Sequence, residues 1–209
     1  MTKTLEVEVF SDFICPWCYI GKERLYKITQ QLQNEINIKL ISRPYVLYPQ
    51  IPEGGIEKSM FAKKTKPGMG RSLRKEAQIE GLDLNYHLIK RIPNSAQAHR
   101  LITMINDPVQ KYKLALDIIR AYFQNGQDIE DLNFLSSLIQ NETLAEAITQ
   151  ELFNPTDSTD RLQQEVTIAT ESFITIVPTL RINGSIIIPG LQSAEIWTRY
   201  LQRASVMKS

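Results

Sequence analysis

Residues that bind metal ions through nitrogen or sulfur are rare in this chain. Only two cysteines and two histidines occur among the 209 residues, whereas a structural zinc site takes four such ligands. His87 and His99 are twelve residues apart, which is outside the usual spacing of paired histidine ligands. We therefore expect no metal site, and the two cysteines require a different explanation.

The chain also lacks an excess of charge and a long hydrophobic run. Its 24 Lys and Arg residues nearly balance 23 Asp and Glu residues, so no overall field favours nucleic acid or an anionic membrane. No apolar run approaches the roughly 20 residues of a membrane-spanning helix. Glu6 and Glu8 also occupy the N-terminal stretch, where a signal peptide would be apolar. We expect a cytoplasmic protein with neither nucleic acid nor a membrane as partner.

The first 48 residues carry the pattern of a strand, a helix and a second strand. Apolar and charged residues alternate from Leu5 to Val9, and a helical stripe follows to about Asn34. A second alternating segment occupies residues 36–44. Because strand–helix–strand connections are right-handed, these two strands are predicted to be parallel neighbours in an α/β fold.

A long helical segment separates this unit from the C-terminal part. Residues 49–155 carry helix signals, including an N-cap and first-turn proline at Asp107-Pro108 and a terminating Asn125-Gly126. The C-terminal segment predicts helix, strand, strand and helix, with Asn183-Gly184 as the hairpin turn. We predict a domain built from residues 1–48 and 156–209, with an all-helical insertion at 49–155.

Both cysteines, Cys15 and Cys18, lie where the first strand gives way to the first helix. Pro16 suits the first helical position, which leaves Cys15 at the cap. The positive potential at a helix N-terminus stabilises a thiolate, the form that attacks disulfides. Cys15 is therefore the expected exposed attacking thiol, and Cys18, one turn inward, is the expected resolving thiol. Asp12 is either a modifier of the proton affinity of Cys15 or an exposed acidic turn residue.

Other interpretations of the pair also have to be considered. Cytosolic thiols are kept reduced, which favours a catalytic pair over a structural disulfide. A haem attachment site needs histidine after the second cysteine, and Tyr19 occupies that position. Two inert, buried cysteines stay open as an alternative.

Four stretches resemble the DsbA-like group of the thioredoxin superfamily, and specifically its cytosolic FrnE-like dithiol–disulfide oxidoreductases. SDFICPWCYIGK and VPTLRING are typical of thioredoxin-like redox proteins in general, and PNSAQAHRL and AYFQNGQDI point to FrnE-like members. The stretches lie at residues 11–22, 177–184, 93–101 and 121–129.

The resemblance implies a thioredoxin-like fold (βαβ … αββα) with a helical insertion, and a cis Val177–Pro178 bond facing the cysteines. Proline statistics alone would favour trans, since only about 5–6% of X–Pro bonds in folded proteins are cis. The backbone of Val177 could then pair with an extended substrate strand. The substrate-binding candidates are the dipeptide between the cysteines, the proline loop and one helical histidine: Pro16, Trp17, Val177, Pro178 and His99.

The main functional hypothesis is a thiol–disulfide oxidoreductase or isomerase that acts on protein disulfides. No bound cofactor is expected besides the redox-active pair, and glutathione is a candidate co-substrate. The alternative is a glutathione-dependent isomerase or transferase of the kappa or hydroxychromene carboxylate isomerase type, acting on a small aromatic molecule. A non-enzymatic holdase is a third hypothesis. The sequence leaves oxidation, isomerisation and reduction all open.

Overall fold

The computed structural model describes residues 4–62, 69–140 and 142–207. Strands and helices alternate at both ends of the chain, and helices predominate between them. In chain order the elements are β1 (Thr4–Ser11), α1 (Pro16–Leu32), β2 (Asn37–Pro44), β3 (Ile56–Glu57), α2 (Lys58–Ala62), α3 (Met69–Ile79), β4 (Arg91–Ile92), α4 (Ala96–Thr103), α5 (Pro108–Asn125), α6 (Leu132–Ser137), α7 (Glu142–Phe153), α8 (Ser158–Glu171), β5 (Thr179–Ile182), β6 (Ile186–Pro189) and α9 (Ala194–Val206).

The main sheet has the strand order β2-β1-β5-β6. β1 and β2 are parallel, as the strand–helix–strand pattern predicted, and β5 runs antiparallel to β1. Phe10, near the end of β1, pairs with Thr179, the first residue of β5. The segment that leaves β1 and the segment that enters β5 therefore meet at one edge of the sheet.

The predicted hairpin turn is confirmed between β5 and β6. Asn183 and Gly184 both have positive φ, at 47° and 70°, as a type I′ turn requires. The flanking residues Ile182 and Ile186 are register partners in the antiparallel ladder. Because a turn of this kind depends on local backbone preferences, the Asn-Gly pair was sufficient to predict it.

The inserted segment is helical apart from one feature that the sequence did not reveal. Ile56 pairs with Ile92 and Glu57 with Arg91, so β3 and β4 form a small antiparallel ladder. The expectation of an all-helical insertion is wrong at this ladder, because two residues per strand are too few to show alternation.

The predicted boundaries of the long helix α5 are confirmed. The Asp107 side chain accepts a hydrogen bond from the Gln110 backbone N–H at 2.8 Å, and Pro108 is the first helical residue. Gly126 ends the helix in the left-handed conformation, at φ 65°. Both ends follow from local signals that the sequence displays.

The inserted helices share a hydrophobic core with the cysteine-bearing helix. One cluster of buried side chains includes both cysteines and Val177, together with Leu101 of α4 and Phe123 of α5. A second cluster joins the main sheet to α1, α5 and α9. Among the residues described, no helix is long and apolar enough to cross a membrane.

Candidate active site

The two cysteines lie at the N-terminus of α1. Cys15 is the N-cap residue with an extended backbone, and Pro16 is the first helical residue. The backbone N–H groups of Cys18 and Tyr19 donate to the Cys15 carbonyl oxygen at 3.0 and 3.1 Å. Cys15 and Cys18 are not joined by a disulfide in this structure. The sequence therefore placed the pair correctly at the strand-to-helix junction.

The peptide bond between Val177 and Pro178 is cis, as the resemblance implied. It lies just before β5, opposite the start of α1. The sulfur atom of Cys15 is 4.0 Å from the carbonyl oxygen of Val177. The pairing of β1 with β5 brings these residues together although 162 positions separate them in the sequence.

Pro178 packs directly against Gly21 of α1. An added Cβ at Gly21 would lie 2.9 Å from Pro178 Cγ and 3.3 Å from the Trp197 ring, closer than carbon atoms normally approach. A side chain at position 21 would push the proline loop away from the helix. Gly21 is therefore required for the close packing of the proline loop against α1. Its position one helical turn after Cys18 was the sequence signal that could have identified it.

Both thiols are buried, which corrects the expectation that Cys15 is exposed. Cys15 is 4% exposed and Cys18 is completely buried. Trp17 is partly buried and packs against the same hydrophobic cluster as the cysteines. Burial is the main cause that raises the pKa of Tyr86, a residue of the inserted segment. Tyr86 also lies close enough to Cys15 that a negative charge on Cys15 raises this pKa further. Cover from the insertion could not be predicted, because it depends on long-range packing.

The sequence model of the DSBA-like thioredoxin domain matches residues 6–202. The chain belongs to this family. The family is one of thiol–disulfide oxidoreductases, and the Cys15–Cys18 pair beside a cis proline fits that membership.

Several known proteins are similar to this DSBA-like chain. The Bacillus subtilis (strain 168) protein YwbO is 22% identical over 197 residues, which are 94% of this chain and 95% of that protein. The crystal structure of a probable DsbA oxidoreductase from Streptomyces coelicolor matches with a TM-score of 0.82 and 22% identity, covering 98% of this chain and 92% of that one.

Two further solved structures are relevant to the choice of substrate. A 2-hydroxychromene-2-carboxylate isomerase matches with a TM-score of 0.68 and 16% identity, over 95% of each chain. The cytosolic disulfide reductase DsbM from Pseudomonas aeruginosa, solved with GSH, has a TM-score of 0.61 and 16% identity, over 95% of this chain and 98% of that one. These likenesses show that the DSBA-like chain has a thioredoxin-like fold with a helical insertion.

The environment of Cys18 disfavours its charged form. Burial is the largest cause that raises the pKa of the Cys18 thiol well above its ordinary value. The hydrogen bond and negative charge of Cys15, and the charge of Asp12, raise it further, whereas a hydrogen bond with the Asp12 backbone lowers it. Cys18 in this DSBA-like site therefore needs a proton acceptor before it can act as a nucleophile.

Asp12 is fully buried beneath the cysteine turn, which excludes the interpretation as an exposed turn residue. Its carboxylate accepts the backbone N–H of Leu47 at 2.6 Å and that of Ile14 at 3.3 Å. Its backbone carbonyl accepts the N–H of Cys15 at 3.3 Å. Asp12 thus connects the turn after β1 to the segment after β2 and holds the cysteine turn in place.

His99, the histidine of the PNSAQAHRL stretch, is buried and lies beside Asp12. Its Nε2 atom is 3.5 Å from Asp12 Oδ1, a contact that does not meet hydrogen-bond geometry. The imidazole ring also packs against Phe13, with ring centroids 4.6 Å apart. His99 therefore lies behind the cysteine turn, against Asp12 and Phe13.

Lys22 is a buried cation that the sequence analysis missed. Its ammonium group donates to the Ser42 hydroxyl at 3.0 Å and lies 4.8 Å from the centre of the Tyr112 ring. Burial lowers the pKa of Lys22 to about 8, although the negative charge of Cys18 opposes the shift. Its spacing along α1 could have indicated that it is buried, because position 22 lies on the same buried face of the helix as Cys18 and Leu25.

Within residues 4–62, 69–140 and 142–207, no cluster of three or more His, Cys, Asp or Glu side chains is arranged to hold a metal ion.

Proposed function

We propose that this chain catalyses thiol–disulfide exchange, with Cys15 as the attacking thiolate and Cys18 as the resolving thiol. The observation that carries the proposal is the position of the Cys15 sulfur, at the N-terminus of α1 and 4.0 Å from the carbonyl preceding cis-Pro178. The helix dipole at such a position favours a thiolate.

The reaction proceeds through a mixed disulfide. The Cys15 thiolate attacks one sulfur of the substrate disulfide, and the other substrate sulfur leaves as a thiolate. Cys18 then attacks the Cys15 sulfur, forms the Cys15–Cys18 disulfide and releases the second substrate thiolate. The protein loses two electrons and the substrate gains them, and the reverse sequence oxidises a substrate dithiol.

We infer that the substrate is a protein disulfide, bound as an extended segment beside the proline loop. Val177 offers a backbone carbonyl there, and main-chain pairing accepts many sequences. Pro16 and Trp17 would form the adjoining surface, because both are partly buried at the start of α1. His99 belongs in this proposal only as a positioning residue behind the cysteine turn.

Glutathione is proposed as a co-substrate that resets the pair, in a FrnE-like protein of the cytoplasm. The similarity to the cytosolic reductase DsbM, solved with GSH, supports both parts of this proposal. No resident cofactor takes part, since thiol–disulfide exchange needs only sulfur atoms and proton acceptors.

We propose that the thioredoxin-like part of the chain and the inserted part have different roles. Residues 1–48 and 156–209 form the thioredoxin-like domain that supplies the thiols and the proline loop. Residues 49–155 form the inserted domain, which covers the thiols. The contact of Tyr86 with the surroundings of Cys15 supports this division.

The second candidate is a glutathione-dependent isomerase acting on a small aromatic molecule. The structural likeness to 2-hydroxychromene-2-carboxylate isomerase favours it. The second thiol argues for exchange instead, because an isomerase of that kind has no step for a resolving cysteine. Isomerase activity that survives Cys18→Ser would establish this candidate.

Trapping of mixed disulfides tests the main proposal. The Cys18→Ser variant, expressed in cells, is expected to accumulate disulfide-linked partners that migrate as high-mass bands without reductant. The Cys15→Ser variant is the matched control, and it should accumulate none because the attacking thiol is missing. Equal behaviour of the two variants would refute the assignment of roles.

Equilibration with glutathione buffers gives the direction of electron flow. Mass spectrometry after alkylation measures the fraction of Cys15–Cys18 disulfide at each ratio of reduced to oxidised glutathione. A potential well above the cytosolic poise identifies a disulfide donor or isomerase, and one well below it identifies a reductase.

A further inference from the structure

We propose that Lys22 is the proton acceptor that converts the buried Cys18 thiol into the resolving thiolate. This inference rests on the proposed function, in which Cys18 closes the disulfide with Cys15. It assigns a specific role to a cation that the hydrophobic core would otherwise exclude.

The first argument is the isolation of the Lys22 amine. Lys22 is 1% exposed, and its polar partners are the Ser42 hydroxyl and the Tyr112 ring face. No carboxylate among the described residues lies within ion-pair distance of it. A buried ammonium without a counterion is costly, so the neutral amine becomes accessible near neutral pH. A neutral amine can accept a proton.

The second argument is the position of Lys22 relative to Cys18. The two residues are four positions apart on α1, so their side chains lie on the same face of the helix. Their charges interact, since the Cys18 thiolate raises the pKa of Lys22 against the effect of burial. A thiolate at Cys18 and an ammonium at Lys22 therefore stabilise each other in a region that disfavours either charge alone.

The groups around the pair leave this role to Lys22. The negative charges of Cys15 and Asp12 raise the pKa of Cys18, and a hydrogen bond with the Asp12 backbone lowers it, but neither residue supplies a positive charge that would stabilise the thiolate. From α5, the Tyr112 hydroxyl donates to the Lys22 carbonyl at 3.0 Å, and burial raises its pKa well above its ordinary value. From β2, the Ser42 hydroxyl does not titrate. Lys22 is thus the buried cation whose charge interacts with that of Cys18.

The resolving step then balances as follows. The proton of the Cys18 thiol moves to Lys22 Nζ, and the resulting thiolate attacks the Cys15 sulfur of the mixed disulfide. The Cys15–Cys18 bond forms, and the bond from Cys15 to the substrate sulfur breaks. The substrate leaves as a thiolate with the electron pair, and the Lys22 ammonium later returns its proton to solvent.

The test separates the two thiols by using one equivalent of 5,5′-dithiobis(2-nitrobenzoate) in stopped flow. Attack by Cys15 releases the first thionitrobenzoate, and resolution by Cys18 releases the second. Because the chain has two cysteines, two released equivalents account for all thiols. Release of only one equivalent by the unmodified chain would overturn the proposed function, and this inference with it.

The decisive variant is Lys22→Met, which keeps the length and apolar stem of the side chain. We expect the first phase to be unchanged and the second to slow by about 10²-fold at pH 7, the range of a lost general base. The second phase should also recover only at higher pH, where solvent can deprotonate Cys18. Lys113→Met removes an exposed lysine of α5 and is the matched control, with both phases unchanged.

A second variant protects the test against misfolding of Lys22→Met. Ser42→Ala removes the hydrogen bond to the ammonium, which lowers the proton affinity of Lys22. The midpoint of the second-phase pH profile should then move to lower pH, opposite to the shift in Lys22→Met. A merely structural role for Lys22 would give no opposed shifts. Normal release of two equivalents with unchanged second phases in both variants would overturn the Lys22 assignment and leave the proposed function intact.

Discussion

Gly21 of α1 and Pro178 of the proline loop are in direct contact, with no room for a side chain between them. The contact sets how closely the helix that carries the thiols approaches the cis peptide bond. The contact between Gly21 and Pro178, one helical turn after Cys18, therefore controls the distance between the Cys15 sulfur and the Val177 carbonyl.

The first prediction concerns this contact. Gly21→Ala places a Cβ 2.9 Å from Pro178 Cγ, so we expect the free energy of unfolding to fall by about 1–3 kcal/mol. We also expect slower attack by Cys15, because the proline loop is displaced. Urea unfolding and the first thionitrobenzoate phase measure the two effects.

Gly70→Ala is the matched control for this substitution. Gly70 is an exposed helical glycine of α3, and a Cβ there would meet only the end of Arg74, at 3.9 Å. Because a Cβ there meets no close neighbour and alanine favours the helix, we expect the free energy of unfolding of Gly70→Ala to stay unchanged or to rise slightly. If Gly21→Ala were as stable as Gly70→Ala, the close packing of Pro178 would be refuted.

The second prediction concerns Asp12. Asp12→Ala leaves the N–H groups of Leu47 and Ile14 without their acceptor, so we expect a loss of about 1–3 kcal/mol in unfolding free energy. Asp12→Asn keeps one carbonyl oxygen and should lose less. Urea unfolding at pH 7 measures both variants, and a wild-type midpoint for Asp12→Ala would contradict this role of the carboxylate.

The third prediction concerns the reactivity of Cys18. In Cys15→Ser, burial still raises the pKa of Cys18, so less thiolate is present at pH 7. Since the thiolate is the form that reacts, we expect alkylation by iodoacetamide to be slower in the folded variant than in the denatured variant. Mass spectrometry follows the reaction, and equal rates in folded and denatured protein would contradict the burial argument.

The fourth prediction concerns Glu8, a buried carboxylate of β1. Burial raises its pKa, but hydrogen bonds from Arg181 and Arg43 outweigh this effect and bring the net pKa below 4.5. A lowered folded-state pKa means that the stabilisation is complete above the unfolded-state value and is lost as pH falls through the folded one. Glu8→Gln should therefore cost about 1–3 kcal/mol at pH 7 and progressively less below pH 4.5.

Glu6→Gln on the same strand is the control for Glu8. The side chains of Glu6 and its partner Lys39 are each about half exposed, so their ion pair contributes about 0–1 kcal/mol. Urea unfolding between pH 3 and 7 compares the two variants. A constant difference between wild type and Glu8→Gln over this range would contradict the assigned pKa direction.

Much of the fold could be predicted because its signals are local. The N-cap at Asp107, the left-handed Gly126 and the Asn183–Gly184 turn depend on residues a few positions apart. The β3–β4 ladder could not be predicted because it depends on residues that are far apart in the sequence. Its two short strands are held by pairing between positions 56–57 and 91–92, and neither strand has a pattern of its own.

At the site, the sequence by itself determined the two thiols and their place at the start of a helix. Spacing and the Cys-Pro-Trp-Cys order are properties of neighbouring residues, and the dipole of the helix follows from its backbone. The motif around Pro178 also pointed to a cis bond, through its resemblance to thioredoxin-like proteins, and the structure has that bond.

Only the tertiary structure decided the burial and proton chemistry of the site. Aspartate in a turn and lysine in a helix usually lie at the protein surface, yet Asp12 and Lys22 are both buried. Their environments are made by β2, by α5 and by the loop after β2, which lie 20 to 90 residues away in sequence. A pKa responds to every charge and dipole within a few ångströms, and those neighbours exist only once the chain has folded.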